Sequence, residues 1–311
     1  MKKIHWIFDY FKQAFHINRT NKILYIPQII FIAVKLLMIM GIGVAVYTGL
    51  GQRDFYRLII GDFRFEQFFP MLVYGGISLL MMGLIYMIIS RIVEAGLYNM
   101  YKQSVMVGTI ETGAFGDGVR KYFFSFLLGD ILIFIAWVIF LPFYFIAGIV
   151  TLTVGFAIIP LIINIFLTMW KVSLVMNDSG LFTALGDSFR FANHYFFPLT
   201  ILQFIHWSFV KGIRGGGNRG NYGLRWTEHV DKVPQLPFWP GSISNQQDIV
   251  AIVINFMKIA IAVLVPVVTI ATAVAALIKM IFEVFFSLVI FIAYHHRFGE
   301  SRELIEREVI L

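Results

Sequence analysis

One stretch of the chain, from Ile131 to Trp170, contains no charged residue and is long enough for two membrane crossings. A hydrocarbon layer about 30 Å thick is crossed by roughly 20 helical residues, because each residue advances about 1.5 Å along the helix axis. In lipid every backbone polar group must find its partner within the protein, so the crossings are expected to be helices. The natural point of reversal lies between Gly148 and Gly155, which predicts a tight helical hairpin.

The composition agrees with a membrane location. Hydrophobic residues make up 59% of the chain and charged residues 14%, whereas a soluble domain carries about 25% charged residues. These values exclude a soluble enzyme, a nucleic-acid-binding domain and a disordered tail as descriptions of the whole chain. There is no cysteine, which excludes disulfides and thiolate metal sites. The net charge of +7 predicts anionic lipid head groups as partners and no nucleic acid, because the basic residues form no stripe.

The remaining apolar runs predict an all-α fold, a polytopic transmembrane bundle of about six spans. The expected spans are 23–48, 71–93, 123–147, 154–175, 195–211 and 250–278. We interpret the chain as a single integral membrane domain, residues 1–311. It divides into an interfacial helix (1–22), span pairs at 23–107, 108–176 and 177–298, an external loop at 211–248 within the third pair, and a cytoplasmic tail at 299–311.

The distribution of basic residues predicts the orientation. The termini and the even-numbered loops hold roughly twice as many Lys and Arg residues as the odd-numbered loops, and such residues favour the cytoplasmic side. Both termini are therefore expected in the cytoplasm, with the chain in a bacterial cytoplasmic (inner) membrane. Near the amino terminus, apolar residues recur at helical spacing with polar residues largely opposite, which predicts a helix lying in the membrane interface. The apolar set is Ile4, Trp6, Ile7, Phe8, Phe11 and Phe15.

Two segments of the chain resemble each other and predict an internal repeat. Gly116-Asp117-Gly118-Val119-Arg120 precedes Tyr122-Phe123-Phe124, and Gly186-Asp187-Ser188-Phe189-Arg190 precedes Tyr195-Phe196-Phe197. With a degenerate copy at 11–25, these segments predict three repeated units of interfacial helix and span pair. Within each motif the Asp and the Arg are three positions apart and share a helix face, so an intrahelical ion pair is favoured over a functional contact.

The six-span layout, the Gly-Asp-x-x-Arg motifs and the Tyr-Phe-Phe segments resemble a group of uncharacterised bacterial membrane proteins. These proteins are similar to the membrane domain attached to some glycerophosphodiester phosphodiesterases. In those enzymes the chemistry belongs to a separate soluble barrel domain, so the resemblance implies a membrane domain without catalytic residues.

The first predicted span carries Lys35 near the bilayer centre, where an unpaired charge costs about 3 kcal/mol. Asp130 lies in the third predicted span at a depth that differs by roughly 6 Å, a gap that a long Lys side chain can bridge. We therefore predict an intramembrane ion pair between Lys35 and Asp130. Both a structural pair and an ion or proton path remain open. Two further pairs, Arg91 with Glu94 and Lys279 with Glu283, are spaced for intrahelical contacts, and solvated helix faces are favoured over a cytoplasmic vestibule for them.

The predicted external loop, residues 211–248, is the largest polar segment of the sequence. A binding loop and a plain connector both fit a loop of this length. Its binding candidates combine basic residues for phosphate contacts with aromatic residues for the membrane interface. They are Arg214, Arg219, Arg225, Trp226 and Trp239.

The histidines show no metal-ligand spacing, and no nucleophile elbow, HExxH or P-loop is present. We therefore expect no catalytic, cofactor-binding or metal-binding residue. The leading hypothesis is a non-enzymatic scaffold, or a partner- or lipid-binding subunit, with a second membrane protein or a second copy of the chain as possible partner. The alternative is a transporter or channel for a small solute or ion that uses Lys35 and Asp130.

Overall fold

The computed structural model describes the backbone of residues 5–49, 65–151, 155–215 and 246–310. Every regular element within these ranges is a helix, which confirms the all-α class. A 3-10 turn at Lys22–Tyr25 follows the first helix. The α-helices are α1 (His5–Thr20), α2 (Ile26–Gly49), α3 (Phe65–Met106), α4 (Ala114–Val150), α5 (Gly155–Leu167), α6 (Trp170–Met176), α7 (Leu181–His194), α8 (Phe196–Gly215) and α9 (Gln246–Ile310).

Four of the described helices contain stretches that are long and apolar enough to cross a membrane. These stretches are Lys22–Thr48, Val73–Met106, Ala114–Val150 and Ile252–Arg297. The fourth and fifth predicted spans correspond to the shorter apolar stretches Ile162–Met176 and Phe196–His206. The six-span layout and the repeated units stay predictions.

Two features of the helix boundaries follow from local sequence. The break between α4 and α5 falls within the segment Gly148–Gly155, where the sequence predicts the reversal, and these two helices contact each other. The last helix continues to Ile310, through most of the segment 299–311 that the sequence predicts to be a tail. The reason is that the segment beyond His296 is rich in Glu, Arg and Leu, which are strong helix formers.

The described chain divides into two compact units. One unit comprises Met1–Phe31, Ile85–Lys211 and Ile278–Leu311, and contains most of the buried residues. At its centre lies α6, of whose seven residues five are buried. Large side chains from three other helices are fully buried in this unit as well. They are Tyr101 of α3, Phe126 of α4, and Phe291 and Tyr294 of α9.

Beyond this core, α4 and α5 of the same unit expose apolar surface. Their side chains, together with those of α7, line an open groove of about 390 Å³. Its lining is entirely apolar and includes Ala136 and Trp137 of α4 and Phe189 of α7. Ile139, also on α4, is 66% exposed and lies outside the groove.

The second unit comprises Ile32–Leu84 and Gly212–Leu277. Here α2 approaches α9 so closely that a Cβ atom on Gly43 would lie 2.7 Å from a methyl group of Val265. Beside this contact an apolar crevice of about 480 Å³ opens between the two helices. Close approach of backbones at a small residue is the usual way in which helices pack in lipid.

Candidate functional site

Helix α6 places polar side chains inside the core of the first unit. It begins at Trp170, after a helical turn closed by the hydrogen bond from the Thr168 amide to the Ile165 carbonyl. Trp170, Val172, Leu174 and Val175 anchor it in apolar surroundings. Lys171 and Ser173 on this helix, with Asn177 and Asp178 directly after it, are the polar groups that contact neighbouring elements.

The first polar group is a cluster of four charges, Arg91, Glu94, Asp130 and Lys171, which we call the charged tetrad. The Lys171 ammonium lies 2.7 Å from Glu94 Oε1 and 3.5 Å from Asp130 Oδ1. Arg91 Nε lies 2.6 Å from Asp130 Oδ2, and Arg91 Nη1 contacts Glu94. The four side chains are only 12% to 25% exposed. Two positive and two negative charges give a neutral cluster, as half-buried charges require.

Apolar rings complete the surroundings of the tetrad. The Lys171 ammonium lies 5.3 Å from the ring centres of both Phe126 and Trp170, a distance suited to cation–π attraction. Three members of the tetrad also mark the ends of charge-free runs in the sequence. Arg91 follows the run 67–90, and Asp130 and Lys171 flank the run 131–170. The tetrad therefore joins α3, α4 and α6 next to the ends of these charge-free runs.

The second polar group surrounds Asp178, in the connection between α6 and α7. Its carboxylate lies 2.9 Å from the ammonium groups of both Lys102 and Lys121 and also accepts a hydrogen bond from the Tyr122 hydroxyl. Partial burial alone would raise the pKa of Asp178, but the hydrogen bonds from its three neighbours outweigh burial and lower the pKa to about 2. The backbone of Asp178 is left-handed, with φ of 51°, a conformation that Asp and Asn tolerate better than other side chains.

The third polar group is a chain of hydrogen bonds that leads from the exposed side chain of Asn177, through buried Tyr294 and Ser173, to half-buried Asp187. Asn177 Nδ2 donates to the Tyr294 hydroxyl, which donates to Ser173 Oγ, each over 2.8 Å. Ser173 Oγ in turn donates to Asp187 Oδ2 over 3.3 Å. Ser173 is fully buried and Tyr294 is 1% exposed. This chain connects α6, α7 and α9, and every hydroxyl in it finds a partner within the protein.

These contacts show what the three groups can do chemically. Ser173 has no solvent-exposed surface, so in this arrangement its hydroxyl is closed to a substrate. Among the described residues no set of three His, Asp or Glu side chains is grouped to hold a metal ion. The arrangement holds five helices, α3, α4, α6, α7 and α9, and the connection after α6 in fixed positions.

The structure gives the predicted site residues different surroundings. Asp130 belongs to the charged tetrad, whereas Lys35 lies in the other compact unit, so a pair between them stays a prediction. The intrahelical pairs expected in the repeat motifs do not form: within the described ranges neither Asp117 and Arg120 nor Asp187 and Arg190 are bridged, and Asp187 contacts Ser173 instead. Gly116 and Gly186 have open space where a Cβ would stand.

Two of the predicted ion pairs are confirmed. Arg91 contacts Glu94, and Lys279 lies 2.9 Å from Glu283. A solvated position is wrong for the first pair, because both of its side chains take part in the half-buried tetrad.

The structure does not describe the side chains of the binding candidates in the predicted external loop. Arg219, Arg225, Trp226 and Trp239 lie outside the described residues, and for Arg214 only the backbone, at the end of α8, is described.

Sequence reasoning missed Lys171, Ser173, Asn177, Asp178 and Tyr294. Lys171 carried one signal, since it ends the charge-free run that Asp130 begins. The other four residues gave no local signal, because their partners come from helices that are distant in sequence.

No protein-family model, curated protein or solved structure matches the chain.

Proposed function

We propose that the protein is a non-enzymatic, multi-pass scaffold that binds partner helices or lipids in a bacterial cytoplasmic membrane. The observation that carries this proposal is the division between a tightly packed core, which holds the three polar groups, and long, uncovered apolar helices. In the most apolar window of each candidate span, at most 11% of the residues are buried. Surfaces of this kind need lipid or another protein to cover them.

The shape of the two apolar grooves supports the proposal that partner helices, and not lipid alone, cover these surfaces. Between helices in lipid, association depends on van der Waals fit rather than on a hydrophobic driving force. The groove beside Ala136 and the crevice beside Gly43 offer concave apolar surfaces into which side chains of another helix can pack. A second copy of this chain and a different membrane protein both satisfy this geometry.

The charged tetrad supports the scaffold over the transport alternative. Asp130, which the transport hypothesis requires as an ion or proton site, lies close to Arg91 and Lys171 within a neutral cluster. An interaction network of this kind stabilises a fixed arrangement of helices. A transport site at Asp130 would have to break these contacts in each cycle.

Two turn positions support the proposed repeat. Gly108 and Asp178, seventy residues apart, both have left-handed backbones, with φ of 84° and 51°. Each precedes a helix that carries a Gly-Asp motif, α4 in the first case and α7 in the second. We infer that the repeated units begin with these turns on the same side of the membrane. Because the termini and the even-numbered loops hold more basic residues than the other loops, we infer that this side is the cytoplasm and that both termini face it.

The proposal is tested by filling the groove. Ala136→Trp places a large ring in the groove beside Trp137, whereas Ile139→Trp on the same helix places it on the exposed surface outside. The wild type and both variants are extracted with their surrounding lipid in polymer nanodiscs, and the co-purified chains and the particle mass are measured.

We expect a second chain in fixed ratio with the wild type and with Ile139→Trp, and its loss with Ala136→Trp. The particle mass distinguishes a second copy from a different protein. A lone chain in all three samples, with the same retained lipid, would contradict the scaffold.

A further inference from the structure

Helix α1 presents three distinct faces. One of them is exposed and aromatic, and the proposed binding of partner helices does not explain it. At 3.6 residues per turn, side chains at 8, 12, 15 and 19 fall within about 60° of one another. Side chains at 9, 13, 16 and 20 form a second stripe, and those at 10, 14 and 17 a third. The structure assigns a different environment to each stripe.

The third stripe is packed against the protein. Ala14 is fully buried and Tyr10 is 6% exposed. The Tyr10 ring stacks on His296 of α9 at a centroid distance of 5.5 Å, and its hydroxyl accepts a hydrogen bond from Arg297 Nε. Phe11, at the edge of this face, contacts Phe285 at 5.4 Å. This face fixes the rotation of α1 about its own axis.

The first stripe is exposed and alternates aromatic with basic residues. It reads Phe8, Lys12, Phe15, Arg19, and Phe8 and Phe15 are 65% and 63% exposed. The second stripe is also exposed but polar, with Asp9, Gln13, His16 and Thr20. Two large aromatic side chains facing water on one stripe would be costly, whereas aromatic and basic residues together suit the boundary between acyl chains and head groups.

The position of α1 in the chain identifies what lies against the first stripe. The apolar stretch Lys22–Thr48, which opens with the 3-10 turn, begins two residues after α1 ends. Asn21, between them, holds this connection in place by donating to the Gly108 carbonyl over 3.1 Å. A helix that ends directly before a membrane span lies at the level of the lipid head groups.

We propose that the stripe Phe8, Lys12, Phe15, Arg19 rests on anionic phospholipids, with its rings at the acyl boundary and its cations on lipid phosphates. The polar stripe faces water. The sequence alone placed Phe11 on the lipid face, but in the structure Phe11 contacts α9, so the lipid face is rotated towards Lys12 and Arg19. The inference rests on the proposed membrane insertion and is independent of the scaffold role.

The absence of cysteine allows a direct test with single spin labels. The full chain is reconstituted into vesicles of phosphatidylcholine and phosphatidylglycerol with one label at a time. Phe8→Cys and Phe15→Cys report on the proposed lipid face, Gln13→Cys and His16→Cys on the water face, and Leu37→Cys on the span. Collisions with dissolved oxygen and with a water-soluble nickel complex are measured at each position.

We expect an oxygen-to-nickel accessibility ratio several-fold higher at positions 8, 15 and 37 than at 13 and 16. Equal, low ratios at all four α1 positions with a high ratio at 37 would overturn this inference and leave membrane insertion intact. A low ratio at 37 as well would contradict insertion itself, and this inference with it.

The role of the cations is tested separately. In the Phe15→Cys background, Lys12→Gln with Arg19→Gln is compared with Arg190→Gln with Lys279→Gln, which removes the same charge elsewhere. We expect the first pair to lower the ratio at position 15 only in vesicles that contain phosphatidylglycerol, and the second pair to leave it unchanged. An equal effect of both pairs, or an effect that persists in pure phosphatidylcholine, would overturn the assignment of an anionic lipid.

Discussion

The ammonium of Lys171 lies 2.7 Å and 2.8 Å from the two carboxylate oxygens of Glu94, although 77 positions separate the residues in the chain. The contact joins α6 to α3 within the charged tetrad. The side chains of Lys171 and Glu94 are 12% and 23% exposed, so water screens their charges only in part. Removal of one charge from the tetrad leaves a net charge in apolar surroundings.

We therefore expect Lys171→Met to lower the free energy of unfolding by about 3 kcal/mol, as is typical when one partner of a buried pair is lost. The change would be measured by denaturant titration in detergent micelles. Glu94→Gln combined with Lys171→Met restores neutrality and should recover part of the loss.

The matched control for this change is Lys279→Met. Lys279 pairs with Glu283 on one helix, and both side chains are 40% exposed. Because exposed pairs contribute little, this change should cost less than about 1 kcal/mol. Equal losses in the two single variants would mean that the tetrad is solvated like a surface pair.

Asp178 makes stability depend on pH in acid. Its pKa is about 2 in the folded protein against an ordinary value of 3.8, so the folded state favours the charged carboxylate. This stabilisation is complete above about pH 4 and is lost as the pH falls through the folded pKa. Asp178→Asn keeps the left-handed backbone but removes the charge.

The measurement is the thermal midpoint of unfolding of wild type and Asp178→Asn as the pH is lowered. We expect the wild type to be the more stable protein at neutral pH and the difference to shrink as the pH approaches 2. A difference that stays constant over this range would show that the charge of Asp178 does not stabilise the fold.

The sequence predicts the helices better than the contacts between them. Apolar runs without charges predict helices from local composition alone, and the spacing of Arg91 and Glu94 predicts their contact because both lie on one helix face. Lys171 reaches the same cluster through tertiary packing, about which helical periodicity says nothing. The position of Lys171 directly after a charge-free run indicates how deep the residue lies along the predicted span, but not which residues it contacts.

Asp130 illustrates the same limit. Depth arguments allow any long basic side chain at a similar level as its partner, and the pair with Lys35 that the sequence favours stays a prediction. The structure provides Arg91 and Lys171, which the fold of α3, α4 and α6 brings within 2.6 Å and 3.5 Å. The depth of a residue along a helix can be read from the sequence. The rotation of the helix about its axis, and the neighbours of each side chain, depend on how side chains pack.

Tyr294 is expected to couple energetically to Ser173. Tyr294→Phe removes the donor to Ser173 Oγ and the acceptor for Asn177 Nδ2. Loss of hydrogen bonds that satisfy buried groups should cost about 1 to 3 kcal/mol. In a double-mutant cycle with Ser173→Ala, the double variant should lose less than the sum of the single changes. Additive losses, measured by denaturant titration, would mean that the hydroxyl groups act independently.

Two glycines of the first repeat motif should respond to alanine with opposite signs. A Cβ on Gly118 would lie 2.7 Å from the Ala95 carbonyl oxygen and 2.6 Å from Asn99 Cβ, because α4 crosses α3 closely there. Gly118→Ala therefore requires the two helices to move apart, and overpacking of this kind costs about 1 to 3 kcal/mol. Gly116, on the same helix turn, has nothing within 4 Å of an added Cβ.

Gly116→Ala is thus the matched control, with the same chemical change at a site without steric conflict. Because alanine favours a helix over glycine by about 1 kcal/mol, this variant should be as stable as the wild type or more so. Unfolding titrations of the two variants under one condition compare the signs directly. A loss of stability for both variants would mean that alanine destabilises the start of α4 regardless of its contact with α3. A loss for neither would mean that α3 and α4 separate at little cost.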